Sequence, residues 1–131
     1  SRGGGESGST DGLEMRATAA AELLAAARRA ASTDPAVFST SLAPLLRFVA
    51  SVVSDSVYKI SNAGLQVLEI VAECCGGSVR PHLDLILPAL TSKLGDNKVV
   101  IREAAMKAMS RLMHVVGSTS VLPTLLSCAS D

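Results

Sequence analysis

The sequence predicts an all-α protein, a right-handed α-solenoid built from helical hairpins. Apolar residues make up 48% of the chain, but aromatic residues only 2%, so the core consists of small aliphatic side chains that let helices approach closely. Apolar residues also recur at helical spacing in about six segments, separated by turn-forming Gly, Pro, Asp and Ser. Finally, these segments repeat along the chain. The 131 residues suffice for one domain.

Composition also excludes several classes of protein. The formal net charge of +0 does not favour an unspecific polyanion binder, and we expect no nucleic-acid partner. No uninterrupted apolar run reaches the length of a membrane span and no signal peptide begins at Ser1, so we expect no membrane partner. Cys74, Cys75 and Cys128 are odd in number, which favours a reducing, cytoplasmic setting without disulfides.

The N-terminal part of the chain divides into a linker and a first helix. Residues 1–12 are rich in Gly and Ser and have no apolar anchor, which predicts a flexible linker before a domain at 13–131. Leu13–Ala31 is an Ala-rich helix whose apolar residues follow helical spacing. Asp34 then suits the N-cap of a second helix, with Pro35 at its first position.

Five further helices follow at regular intervals. The second runs to about Val53 and the third stops at Gly76, while the fourth covers Val79–Leu94. In the turn after it, Gly95 suits the left-handed position that closes a helix, and the side chains of Asp96 and Asn97 can accept hydrogen bonds from the next helix. The two remaining predicted helices run to about Val116 and from Ser120 to Cys128.

The segments match one another in register. Asp55, Ile60, Ala63, Leu65 and Leu68 correspond to Asp96, Ile101, Ala104, Met106 and Met109, always 41 residues apart. Two further matches extend the array: Met15-Arg16 corresponds to Ile101-Arg102, and Leu122-Pro123 to Leu87-Pro88. Two helices per unit of about 40 residues are typical of HEAT repeats. The pattern predicts two whole repeats between two half-repeats, an array cut at both ends whose uncovered faces favour self-association.

Two turns of this array resemble a known family. Leu90–Lys98 followed by Val100–Ala105, and the related stretch Asp55–Ile60, are similar to HEAT repeats of TOG domains, especially those of CLASP-like, crescerin-like and ciliary Cep-type proteins. The resemblance covers about residues 13–131, but its specific part is these two turns. It implies a non-catalytic regulator of microtubule dynamics, without a cofactor, that binds tubulin or microtubules through the turns within its repeats. It also implies a cytoplasmic, cytoskeletal location, including cilia, flagella or the centrosome.

The resemblance also implies a set of tubulin-facing residues. Leu13 stands where the family often has Trp in its first turn, and a basic residue follows three positions later. From Lys93 to Arg111 the chain holds five basic and two acidic residues, so the edge near the third turn is locally positive and suits an acidic partner such as tubulin. The implied tubulin-binding residues are Arg16, Tyr58, Lys59, Asn97, Lys98 and Arg102.

Two other interpretations of the array stay open. It could be a generic HEAT or armadillo scaffold that binds another protein through its concave face, near Glu103 and Lys107. It could also be a structural TOG-like domain that has lost tubulin binding, which fits Leu13 in place of Trp. An enzyme is not expected, because the chain has no Gly-rich phosphate loop or nucleophile–base set. His82 and His114 lie on different predicted helices without further metal ligands, so no metal site is expected.

Overall fold

The structure, a computed structural model, describes the backbone of residues 4–130 and the side chains of residues 12–128. This part of the chain is helical apart from short turns and contains no strand, which confirms the all-α prediction. The α-helices are α1 (Gly4–Thr33), α2 (Leu42–Val53), α3 (Tyr58–Cys75), α4 (Leu83–Leu94), α5 (Val99–Val116) and α6 (Ser118–Ser130). Two short 3₁₀ segments, Pro35–Ser41 and Gly76–His82, precede α2 and α4.

The backbone repeats as the sequence does. α2 and α4 have 12 residues each, α3 and α5 have 18 each, and the two 3₁₀ segments have 7 each. Each second copy begins 41 residues after the first, as Tyr58 and Val99 show at the starts of α3 and α5. Both long helices end at a glycine with positive φ, Gly76 (57°) and Gly117 (90°), a backbone conformation that other residues rarely adopt. The predicted HEAT-type period is therefore confirmed.

The helices form two layers with the core between them. α1, α3 and α5 pack side by side in one layer, and α2, α4 and α6 in the other. The antiparallel pairs α2–α3 and α4–α5 join the layers as hairpins. Leu, Val and Ile side chains fill the space between, and the largest fully buried ones include Leu46, Leu65, Leu68, Ile86, Leu87, Leu90, Ile101 and Leu112. This small-aliphatic core places the ends of adjacent hairpins along one edge of the molecule.

Helix α1 begins earlier than the sequence predicts. Its backbone is helical from Gly4, although the sequence of residues 1–12 predicts a Gly/Ser linker. Ser1–Gly3 lie outside the described residues. Gly and Ser are poor helix formers, so this stretch extends a helix whose later residues pack against the core, with Ala20 and Ala27 buried. The flexibility of residues 1–12 stays a prediction.

The helix ends differ from the sequence prediction in two places. Gly95 ends α4 with φ −101° and ψ 17°, so the left-handed conformation predicted for it is wrong. The helix ends instead with a hydrogen bond that spans three residues, from the Gly95 N–H to the Ser92 carbonyl (N···O 3.3 Å). Ser54 occupies the equivalent position after α2. Asp34 does lie at an N-cap position, but its side chain makes no capping hydrogen bond.

One stretch, Pro35–Val53, is long and apolar enough to cross a membrane by length and composition alone, with a mean hydropathy of 1.7. Several hydroxyl side chains and Arg47 interrupt its run of apolar residues. In the structure it consists of a 3₁₀ segment followed by α2, and Leu46, Val49 and Val53 of α2 belong to the main core. Packing against the neighbouring helices accounts for the apolar character of this face.

Candidate protein-binding edge

The two turns that join the hairpins have the same local structure. Asp55 accepts a hydrogen bond at Oδ1 from the Val57 N–H (2.9 Å), and Asp96 accepts one at Oδ2 from the Lys98 N–H (2.9 Å). Each carboxylate thus binds a backbone N–H two residues ahead, which fixes a tight turn before the following helix. The predicted accepting role of Asp96 is confirmed, whereas the hydrogen bond described at Asn97 is made by its backbone carbonyl.

Side chains hold the two turns next to each other. The Lys93 ammonium donates a hydrogen bond to the Asp55 carbonyl oxygen (3.1 Å) and lies 3.9 Å from Asp96 Oδ1, so it contacts both turns. On the outer side, the Lys98 ammonium lies 4.9 Å from the centroid of the Tyr58 ring. A cation at this distance from an aromatic face is attracted by the ring. The predicted site residues Tyr58 and Lys98 are therefore brought together.

Arg16 connects α1 to this edge. Its Nε lies 3.0 Å from Asp55 Oδ2, and the Asp55 carboxylate is largely buried while the Arg16 side chain is half exposed. Burial alone would raise the pKa of Asp55, but the hydrogen bonds from Val57 and Arg16 and the charges of Arg16 and Lys93 together lower it. The charge of Arg16 is thus compensated within the protein, and its main contact is structural.

Arg102, which the sequence predicts to contact tubulin, stabilises its own turn in the structure. Its Nη1 donates to the backbone carbonyls of Asp96 (2.8 Å) and Asn97 (3.2 Å), and the side chain is half-buried. At the equivalent position of the preceding hairpin, the buried Ser61 hydroxyl donates to the Val53 carbonyl (2.6 Å). Both repeats therefore use this position to satisfy carbonyl groups near the end of the preceding helix, although the residue types differ.

The remaining side chains of the edge are exposed. Lys59 and Asn97 project into solvent beside the two turns, and no ion pair or hydrogen bond of the Lys59 side chain is described. Val99 and Val100 are also exposed, and the sequence prediction did not include them. A signal was present: Val99, Val100 and Ile101 are consecutive, and a helix cannot turn three consecutive side chains toward one core. Only Ile101 is buried.

Fewer cations of this stretch are free to contact a partner than the sequence count indicates. Lys93 pairs with Asp96, Arg102 donates to carbonyl groups, and Arg111 Nε lies 3.1 Å from Glu73 Oε1 of α3. The cations that stay available on the edge are those of Lys59 and Lys98. Together with Tyr58, Asn97, Val99 and Val100 they form a small patch of exposed apolar groups beside two positive charges, which we call the turn patch.

The cysteine thiols and histidine side chains lie apart from the turn patch. Burial raises the pKa of the Cys74 thiol, and it raises that of Cys75 despite a contact with the Ser39 hydroxyl. Thiols with a raised pKa are poor nucleophiles at neutral pH. Among the described residues, no group of three or more His, Cys, Asp and Glu side chains is placed to hold a metal ion.

The fold and the paired turns define a class of protein, a HEAT-type α-solenoid. The family described as CLASP N terminal matches residues 22–131 of this chain. The chain therefore belongs to the CLASP N-terminal family, which confirms the resemblance found in the two turns. The match includes the turn patch, whereas Arg16 lies before it.

Curated relatives agree with this assignment. The chain is 31% identical over 101 residues to a CLIP-associated protein of Arabidopsis thaliana, covering 77% of this chain and 7% of that protein. It is 35% identical over 91 residues to TOG array regulator of axonemal microtubules protein 1 of Mus musculus, covering 67% of this chain and 5% of that protein. This chain thus spans less than a tenth of either relative. No solved structure matches it.

Proposed function

We propose that the chain is a tubulin-binding TOG-like domain that acts without catalysis and contacts tubulin or microtubules through the turn patch. The observation that carries the proposal is the side-by-side placement of two identical turns, with Lys98 against Tyr58 and Lys59 beside them. Membership of the CLASP N-terminal family supports it, as does the name of a relative that regulates axonemal microtubules. On the same grounds we propose that the protein acts on the microtubule cytoskeleton.

The geometry suits binding to an acidic surface. The two turns are held by carboxylate–backbone bonds and by Lys93 between them, so little conformational freedom is lost when a partner binds. The exposed ammonium groups of Lys59 and Lys98 can pair with carboxylates and speed the encounter, while Val99 and the Tyr58 ring supply apolar contact area.

We propose two different roles for the six predicted residues. Lys59, Lys98 and the exposed side chains of Tyr58 and Asn97 are assigned to direct contact with tubulin. Arg16 and Arg102 are assigned to positioning because their guanidinium groups already bind Asp55 and the carbonyls of the second turn. Reversing the charge of Arg102 would break the turn as well as the surface, so it cannot serve as a clean test of binding.

The test is a charge reversal confined to exposed lysines. We expect the double variant Lys59→Glu with Lys98→Glu to weaken binding to tubulin by about tenfold or more, because two favourable contacts become repulsive. The matched control is Arg47→Glu with Lys107→Glu, which changes the net charge equally at exposed positions away from the turns. Tubulin affinity and microtubule co-sedimentation are measured at equal salt, with circular dichroism as the check on folding.

The outcome also separates the competing functions. A depression between α1, α3 and α5, lined by Arg28, Gln66, Glu103 and Lys107, is the surface that a generic scaffold would use. Loss of binding in the control pair with retention in the Lys59/Lys98 pair contradicts the turn patch, and loss in Lys107→Glu alone assigns binding to that depression. A folded wild-type chain that binds no tubulin contradicts the proposal as a whole and favours a purely structural TOG-like domain.

A further inference from the structure

Lys93 is a largely buried cation between the two turns of the edge. It lies in the last turn of α4, and only 13% of its side chain is exposed. Its ammonium group donates to the Asp55 carbonyl oxygen of the preceding turn (3.1 Å) and lies 3.9 Å from the Asp96 carboxylate of its own turn. Because a buried charge is costly without polar partners, these two contacts determine where the side chain lies.

Charges of alternating sign connect three successive parts of the array along this edge. Arg16 of α1 pairs with the Asp55 carboxylate (Nε···Oδ2 3.0 Å). Lys93 then joins the turn of Asp55 to the carboxylate of Asp96. Each aspartate also accepts a hydrogen bond from the backbone N–H two residues ahead. The network therefore stabilises each turn internally and also holds it beside the next.

The repeat shows that the hairpin itself does not require a cation at this position. Lys93 corresponds to Val52 of the preceding hairpin, 41 residues earlier. Val52 is 8% exposed and packs in a small apolar cluster with Ala20 and Ile60. An apolar side chain thus suffices to close a hairpin of this kind, and the ammonium group of Lys93 is explained by the two turns that it joins.

We propose that Lys93 is a positioning residue of the turn patch, which sets the spacing of the two turns and thereby the strength of tubulin binding. The inference rests on the proposed function, in which both turns contact one tubulin surface. Turns at a fixed spacing contact a rigid partner together, whereas independent turns lose conformational freedom when it binds. The Lys98 ammonium, 4.9 Å from the Tyr58 ring centroid, makes an exposed and therefore weak contact, so it reports the spacing without setting it.

A pair of matched variants isolates this bridge. Lys93→Met removes the ammonium group but keeps an unbranched, flexible apolar side chain in the buried position. The control, Arg111→Met, removes the ion pair between α5 and α3, in which Arg111 Nε lies 3.1 Å from Glu73 Oε1. Arg111 follows the first residue of α5 by twelve positions, about 18 Å along the helix, and so lies far from the turns. Both variants remove one cation that joins neighbouring hairpins, and circular dichroism verifies that both fold.

Nuclear magnetic resonance measures the spacing of the turns without tubulin. The methylene protons next to the Lys98 ammonium lie near the Tyr58 ring and should resonate upfield of their position in Tyr58→Leu. We expect Lys93→Met to remove most of this upfield shift, because the turns then move apart, and Arg111→Met to retain it. An unchanged shift in Lys93→Met overturns the proposal, since the turns then keep their spacing without the bridge.

Tubulin affinity shows whether the spacing matters for binding. At moderate salt, where the loss of one charge contributes little, we expect Lys93→Met to bind tubulin about threefold to tenfold more weakly than the wild type. Arg111→Met should bind as the wild type does, and equal affinities of the two variants overturn the proposal. A folded wild-type chain that binds no tubulin contradicts the proposed function instead, while a lost Lys98 shift in Lys93→Met still supports the role of Lys93 in setting the spacing.

Discussion

Gly64 marks the closest approach of α3 to α2, and enlarging it gives a direct test of the packing. A Cβ atom at this position would lie 2.8 Å from the Val53 backbone nitrogen and 3.0 Å from side-chain carbons of Val52 and Val53. Ordinary contacts between such atoms are about 3.5–4.0 Å, so the two helices must separate by several tenths of an ångström. The atom closest to the new methyl group belongs to the backbone, which cannot rotate away.

The expected magnitude follows from two opposing effects. Overpacking of a well-packed core costs about 1–3 kcal/mol. Replacing Gly by Ala inside a helix gains up to about 1 kcal/mol in helix propensity. We therefore expect Gly64→Ala to lower the free energy of unfolding by about 1–2 kcal/mol. The equivalent residue of the next hairpin is Ala105, which is fully buried, so the α4–α5 pair accommodates a methyl group that the α2–α3 pair excludes.

Urea denaturation followed by circular dichroism measures this change. The control is Gly95→Ala, where the new Cβ would meet only the Ser92 carbonyl oxygen at 3.9 Å, an ordinary contact. Its effect should stay within about 0.5 kcal/mol of zero, as is usual for surface substitutions. If Gly64→Ala is as stable as the wild type or more so, the helices do not approach as closely as described, and the argument for tight hairpins is refuted.

Three further changes test the core and the turns. Ser61→Ala should cost about 1 kcal/mol, since it removes the buried hydrogen bond to the Val53 carbonyl, and urea denaturation should show it; no change would contradict that bond. Leu87→Ala, in the fully buried centre of α4, should cost about 2–5 kcal/mol, and a cost under about 1 kcal/mol would contradict its burial. Asp55→Asn tests the lowered pKa of Asp55. Because that pKa is lowered in the folded state, the ionised carboxylate stabilises the fold at pH values above the ordinary pKa of aspartate. This contribution is lost as the pH falls through the folded-state pKa. The difference in unfolding free energy between wild type and Asp55→Asn should shrink on acidification, and a constant difference would contradict the ion pair with Arg16.

The repeat made the fold predictable from sequence. Matching Asp55 to Asp96 and Ile60 to Ile101 predicted two equivalent hairpins, and the helices have equal lengths and the same turn bonds at this spacing. Periodic apolar positions are fixed by burial, which acts on every repeat alike. The conformation of Gly95 was not predictable in this way, because a helix can also end with a residue of negative φ, as it does at Ser54, which any residue can adopt.

The site was only partly predictable. Residue type identified Arg16 and Arg102 as cations near the turns, but their guanidinium groups are occupied by Asp55, which is 39 residues away from Arg16, and by backbone carbonyls. Such pairings depend on how the helices are placed in space, which residue type alone does not determine. The exposure of Val99, in contrast, could have been inferred from helical geometry.

Co-elution with tubulin in size-exclusion chromatography is the most direct test of the proposed function. The purified chain is run with and without tubulin, at low and at moderate salt. We expect co-elution at low salt that weakens as salt is raised, because exposed lysines such as Lys59 and Lys98 contribute through screened charge interactions. A helical, correctly folded chain that elutes separately from tubulin even at low salt would contradict the assignment of the turn patch as a tubulin-binding surface.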